Sequence, residues 1–120
     1  MQMTSAEILI AREHRLPVVY AIFNDARYNM VFHGYRLIHG REAPWATDYV
    51  DFVKWASAFG VPGRLIERPG EITRELLDDL TAFGPAILDI RQDRELRIKG
   101  DGRIDAIRQM SFGSTEGGRA

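Results

Sequence analysis

No cysteine occurs in the 120 residues, which excludes disulfide staples and thiolate-held zinc or iron–sulfur centres. No apolar run reaches the roughly 20 residues that a bilayer-spanning helix requires. Neither sign of charge dominates: 16 basic side chains stand against 17 acidic ones, a net charge of -1, so no strong field draws nucleic acid or an anionic membrane. The N-terminus also lacks the basic-then-apolar order of a secretory leader, because Glu7, Arg12 and Glu13 interrupt it. From these absences the expected setting is cytoplasmic, with neither membrane nor nucleic acid as a partner. No internal repeat is present.

What remains suits a single compact domain, because 45% hydrophobic residues are enough to bury a core. Thr4 and Glu7 have capping-box spacing, and the apolar residues that follow predict a helix over residues 5–14. The unbroken run from Val18 to Phe23 is β-branched and aromatic, as in a strand buried on both faces of a parallel sheet. A helix is expected over residues 30–38, weakened by Gly34, then a loop over residues 39–49. Thr47 or Asp48 can cap the next helix, residues 49–59, whose apolar positions Phe52, Val53, Ala56 and Phe59 recur at three- and four-residue spacing. Trp55 falls off that stripe and is expected to face a neighbouring domain or subunit. A short strand over residues 64–67, a Pro69-Gly70 turn, and an amphipathic helix over residues 71–83 striped by Ile72, Leu76, Leu77 and Leu80 follow. Gly84-Pro85 stops that helix and Ala86 to Ile90 reads as a buried strand. Alternation of this kind predicts an α/β fold with a mostly parallel sheet flanked by helices. Residues 91–108 then carry Arg91, Arg94, Arg97, Lys99, Arg103 and Arg108 against Asp93, Glu95, Asp101 and Asp105. The domain proper is therefore placed at residues 1–92, and residues 93–120 form a charged extension whose small, polar end is expected to be disordered.

In open parallel α/β sheets ligands bind at the carboxyl ends of the strands. The first strong strand ends in Asn24-Asp25-Ala26-Arg27, the most polar junction in an otherwise apolar stretch. A carboxylate there, with a main-chain carbonyl two residues on, is a partial shell for a hard cation such as Mg²⁺, which could bridge to ligand phosphates. The same residues could also do no more than form an Asx turn.

Taken as one string, residues 16–31 resemble the strand and loop of thiamine diphosphate enzymes, where an apolar strand runs into the Asn-Asn pair that closes the cofactor signature. Asp51 to Gly60 is similar to that family's helix ending in Ala-Phe-Gly, Gly84 to Ile90 to its last strand, and Gln2 to Glu7 to the opening of its diphosphate-following helix. Four pieces in register over residues 1–92 make the resemblance specific. It implies thiamine diphosphate and Mg as cofactors, with Asn24 and Asp25 as the signature pair and Asp25 as a metal ligand. The chain departs from the family there, with Asn-Asp in place of Asn-Asn, which keeps an oxygen donor and adds a negative charge. The resemblance further implies that Arg27 offers its main-chain carbonyl to the metal and that Tyr28, Asn29, Met30 and Val31 touch the diphosphate and aminopyrimidine. An apolar residue at Val31, where decarboxylase-like members carry glutamate, resembles the acetolactate synthase-like group.

The Gly-Asp-Gly half of the signature would precede Met1. Gly100-Asp101-Gly102 comes after the Asn-Asp pair and reads as a surface turn. The resemblance implies decarboxylation and carboligation of a 2-oxo acid such as pyruvate, complementary thiamine-enzyme domains or a partner subunit, and a homo-oligomeric parent. No catalytic side chain is expected in this segment, which alone should be inactive. The alternative is a non-catalytic remnant, small α/β subunit or binding module. His14 is expected to complement a helix C-terminus; His33, His39, Trp45 and Trp55 are expected in packing or surface roles rather than chemistry.

Overall fold

The computed structural model describes residues 5–45, 47–96 and Gly102. In chain order it contains α1 (Glu7–Glu13), β1 (Val19–Asn24), α2 (Asn29–His39), α3 (Phe52–Ala58), β2 (Gly63–Ile66), α4 (Arg74–Thr81) and β3 (Ala86–Arg91). The strands form one parallel sheet in the order β1-β3-β2. This is the expected α/β architecture. Parallel neighbours require crossovers, and the chain makes them through α2 and α3, then through α4.

Strand β3 sits in the centre because it is the most apolar. Ala86, Ile87 and Leu88 are buried, and Ile87 pairs with Tyr20 on one side while Leu88 pairs with Arg64 on the other. Ile8 of α1 and Phe52 and Ala56 of α3 pack with Val61 and Ile87 into one core cluster, against which Tyr20, Ile22, Trp55 and Phe59 also lie. The approach of α3 is close: a Cβ at Gly63 would stand 3.0 Å from the Ala56 Cβ and 3.1 Å from the Val53 Cα. Only glycine lets the helix backbone come this near to β2.

Several expectations need correction. Strand β1 is not buried on both faces. It is an edge strand among the described residues, with Tyr20 and Ile22 turned to the core and Ala21 and Phe23 turned outward, Phe23 being 69% exposed. A continuous apolar run shows that either face could be covered, not that a second layer packs on both. Helix α1 has Ala6 at its N-cap with no side-chain cap; Thr4, the hydroxyl partner in the expected capping box, lies outside the described residues. Helix α3 is capped by Asp51, whose carboxylate accepts from the Lys54 N–H at 3.0 Å, and neither Thr47 nor Asp48 does this. That N–H, and then the Lys54 ammonium, hold the Asp51 carboxyl below its ordinary range. Trp55 is half-buried and packs edge-on against Phe52 and Phe59. Helix α4 starts at Arg74 behind a Thr73 cap, because Glu71 is drawn instead to the Glu67 N–H and the Arg68 guanidinium. Ile72 therefore lies outside the helical stripe and is exposed. Most of the charged extension, including the end expected to be disordered, lies outside the described residues.

Candidate functional site at the carboxyl end of the sheet

Strand β1 ends against β3 at the Asn24–Arg91 pair, and the chain then turns sharply. Ala26 takes a left-handed conformation, φ 54°. A residue with a Cβ rarely adopts this conformation unless its surroundings impose it. Here they do. The Asn24 Oδ1 accepts from the Ala26 N–H at 3.2 Å, the Asp25 Oδ1 accepts from the Arg27 N–H at 3.3 Å, and the Thr47 hydroxyl donates to the Ala26 carbonyl. The Asx geometry anticipated as the plainer alternative is thus present. It does not use up the site, since the second carboxylate oxygen of Asp25 has no hydrogen bond among the described residues.

Asn24 itself is buried and committed. Its Nδ2 donates to the Val50 carbonyl at 3.0 Å and to the Asp89 Oδ1 at 2.9 Å. Asp89 is fully buried in the middle of β3, where its other oxygen accepts from the Phe52 N–H at 3.4 Å and lies 3.6 Å from the Arg91 guanidinium. The amide of Asn24 therefore faces protein rather than solvent.

Asn24, Asp25, Arg27 and Tyr28 line one open cavity of about 280 Å³, with Thr47 and Asp48 across from them. The cavity sits at the carboxyl end of β1, beside the N-terminus of α2. No side chain caps that terminus, and its first turn holds no acidic residue. Uncapped N–H groups and the helix dipole favour an anion there. The remaining predicted residues do not line the cavity. Asn29 is engaged locally, its Oδ1 accepting from the Arg27 Nε at 2.7 Å, while Met30 and Val31 are exposed on the first turn of α2. The Arg27 carbonyl accepts from the Asn29 N–H at 2.9 Å, leaving one lone pair. The Arg27 side chain packs at 4.2 Å on the Phe32 ring and bridges to Glu95.

Hard oxygen donors suited to Mg²⁺ are present in Asp25, Asp48 and the Arg27 carbonyl. They do not amount to a complete site, because no group of three or more His, Cys, Asp or Glu side chains able to hold a metal occurs among the described residues. Sequence reasoning missed Asp89 and the wall formed by Thr47, Asp48 and Val50. A carboxylate inside the apolar run Ala86–Ile90 was a visible signal for the first. The second depends on a loop whose course no local pattern fixes. His33 is buried with its Nε2 3.0 Å from the Arg94 carbonyl, while His39 and His14 are exposed, His39 lying against the Tyr35 ring and His14 ending α1.

A parallel sheet with a strained acidic bend and an open helix N-terminus at its carboxyl edge defines a domain suited to phosphate-bearing ligands. Comparison with known proteins narrows this class. The family described as "Thiamine pyrophosphate enzyme, C-terminal TPP binding domain" matches residues 1–90. The chain is similar to the acetolactate synthase of Bacillus subtilis, 29% identical over 90 residues, covering 75% of this chain and 16% of that protein. It is also similar to probable acetolactate synthase large subunits of Methanococcus aeolicus (30% over 99 residues, 76% and 16%) and Methanocaldococcus jannaschii (32% over 90 residues, 73% and 15%). The chain belongs to the thiamine pyrophosphate enzyme family, as a C-terminal TPP-binding domain. It spans about a sixth of the length of these relatives. No helix among the described residues is long and apolar enough to cross a membrane.

Proposed function

We propose that this chain forms one half of a thiamine diphosphate–Mg²⁺ site in an acetolactate synthase-like enzyme acting on 2-oxo acids such as pyruvate. The observation that carries this proposal is the Asn24–Arg27 bend, which sets Asp25 on a cavity beside the uncapped start of α2. Asp25 and the Arg27 carbonyl would hold Mg²⁺. The N–H groups of Met30 and Val31, next after the Asn29 N–H that is given to the Arg27 carbonyl, would receive diphosphate oxygens, and Tyr28 and the side chains of Met30 and Val31 would meet the rest of the cofactor. When bound, the cofactor supplies the electron sink for decarboxylation and carboligation. The protein's part is binding, orientation and exclusion of water. The exposure of Tyr28 and Met30, each 70%, supports a surface that something else covers. In this proposal the cover is cofactor together with complementary domains of the same enzyme, in a homo-oligomer. The remaining metal ligands and the catalytic groups come from outside these 120 residues, so the chain alone produces no acetolactate from pyruvate.

The test is an NMR titration of the ¹⁵N-labelled chain with Mg²⁺ and thiamine diphosphate. The expected result is saturable shifts at the amides of residues 25–31, lost in Asp25→Ala and weakened in Asp25→Asn. No shifts in that segment, or equal shifts in Asp25→Ala, would remove the proposal. A non-catalytic module remains the competing interpretation only if the shifts fail.

A further inference from the structure

We propose that Asp89 is a positioning residue for the ligand bend: acting through Asn24, it holds Ala26 in its left-handed conformation and so sets where Asp25 stands. The inference rests on the proposed function for its ligand-binding part alone.

Asp89 lies 0% exposed in the central strand, where an unpaired carboxylate is costly. Its two oxygens have different tasks. One accepts from the Asn24 Nδ2 and the other from the N–H of Phe52, the first residue of α3. The acceptance fixes which way the Asn24 amide points, since only the NH₂ end can face a carboxylate. The same NH₂ also reaches the Val50 carbonyl, and the Oδ1 end is thereby turned toward the Ala26 N–H. One carboxylate thus ties three parts together: the bend after β1, the loop through Val50 that carries Thr47 and Asp48, and the start of α3. The two walls of the cavity are set by this pair of side chains. Arg91, which stacks at 4.4 Å on the Tyr49 ring, is the one cation within ion-pair distance of Asp89 among the described residues, and at 3.6 Å it leaves the hydrogen bonds to do the orienting; Lys54, Arg64 and Arg68 lie farther off, along a second cavity that Asp89 and Arg91 also line.

The test is Asp89→Asn in the 120-residue chain, followed by amide hydrogen exchange and by titration with Mg²⁺ and thiamine diphosphate. The amide keeps the shape but offers one oxygen where two are used, so either Asn24 or Phe52 is left donor against donor. The expected result is an exchange rate at Ala26 raised about ten-fold, with Ile87 and Leu88 in the sheet unchanged, and affinity for the Mg²⁺–diphosphate ligand lowered about ten-fold, the size of one charge-assisted hydrogen bond. A purely structural role would raise exchange at all three residues together, which would overturn the proposal, as would an unchanged rate at Ala26. Loosening of Ala26 with unchanged affinity would also overturn it. If Asp89→Asn does not fold, Asn24→Ala breaks the next link and must loosen Ala26 in the same selective way. Loosening at Ala26 in a chain whose wild type shows no titration shifts supports the role of Asp89 and refutes the cofactor proposal.

Discussion

Replacing Asn24 by aspartate turns a buried amide–carboxylate contact into two opposed carboxyls. The contact is 2.9 Å long. Two full charges at that separation repel by about 6 kcal/mol at an effective dielectric near 20. Holding a proton on the new carboxyl at pH 7 costs about 4 kcal/mol instead, given a solution value near 3.9. Protonation is cheaper, so the pair shares a proton and the variant is destabilised by about 4 kcal/mol at pH 7. The sign of the pH dependence follows. A carboxyl whose folded value is raised binds a proton in the native state that the unfolded chain lacks. Its stability deficit therefore shrinks as pH falls toward the unfolded value, by about 1.4 kcal/mol per pH unit. Urea denaturation followed by circular dichroism at pH 7 and pH 5 should show the gap between wild type and Asn24→Asp closing by nearly 3 kcal/mol. A gap below 1 kcal/mol at pH 7, or one of equal size at both pH values, would refute the contact between Asn24 and Asp89 and the positioning built on it.

Other consequences can be measured on the same chain. Gly63→Ala should destabilise it by about 1–3 kcal/mol in urea, because the new methyl meets the α3 backbone as well as the Ala56 side chain. Thr73→Ala should cost about 1 kcal/mol through loss of the α4 cap, whereas Thr73→Ser should cost little. The depressed Asp51 carboxyl contributes stability that is present above its unfolded value and lost as pH falls through its folded value; Asp51→Asn should keep the cap and remove that acid-sensitive part of the melting curve. Among the described residues strand β1 has an open edge, and Phe23 is exposed on its outer face, so the chain should self-associate in size-exclusion chromatography and Phe23→Lys should reduce this. Sharp, concentration-independent behaviour of the wild type would count against that prediction.

The order and kind of the elements were legible because long apolar runs and helical stripes report burial directly. Val18 to Phe23 and Ala86 to Ile90 became β1 and β3 within a residue. Boundaries failed where side chains competed for backbone groups: Asp51 took the cap expected of Thr47 or Asp48, and Glu71 left α4 to bond the Glu67 N–H. The identity of the bend at Asn24-Asp25 was legible as the one polar break at a strand end. Its internal division of labour was not. Nothing local shows that Asn24 turns inward to a carboxylate 65 residues away while Asp25 stays on the cavity. That distinction depends on parallel pairing of β1 with β3, a tertiary fact. The edge position that β1 takes among the described residues was likewise invisible, since an apolar strand reads the same with one neighbour or two.

The central claim is that Asp25 stands in a cation–diphosphate site at the carboxyl end of the sheet. Paramagnetic broadening by Mn²⁺, added with thiamine diphosphate to the ¹⁵N-labelled chain, tests it most directly. The expected result is selective loss of the amide signals of residues 25–30 and of Asp48, with Glu75 and Asp78 on α4 unaffected, and recovery of those signals in Asp25→Ala. Broadening centred on the acidic residues of α4, or broadening around Asp25 that survives its removal, would contradict it.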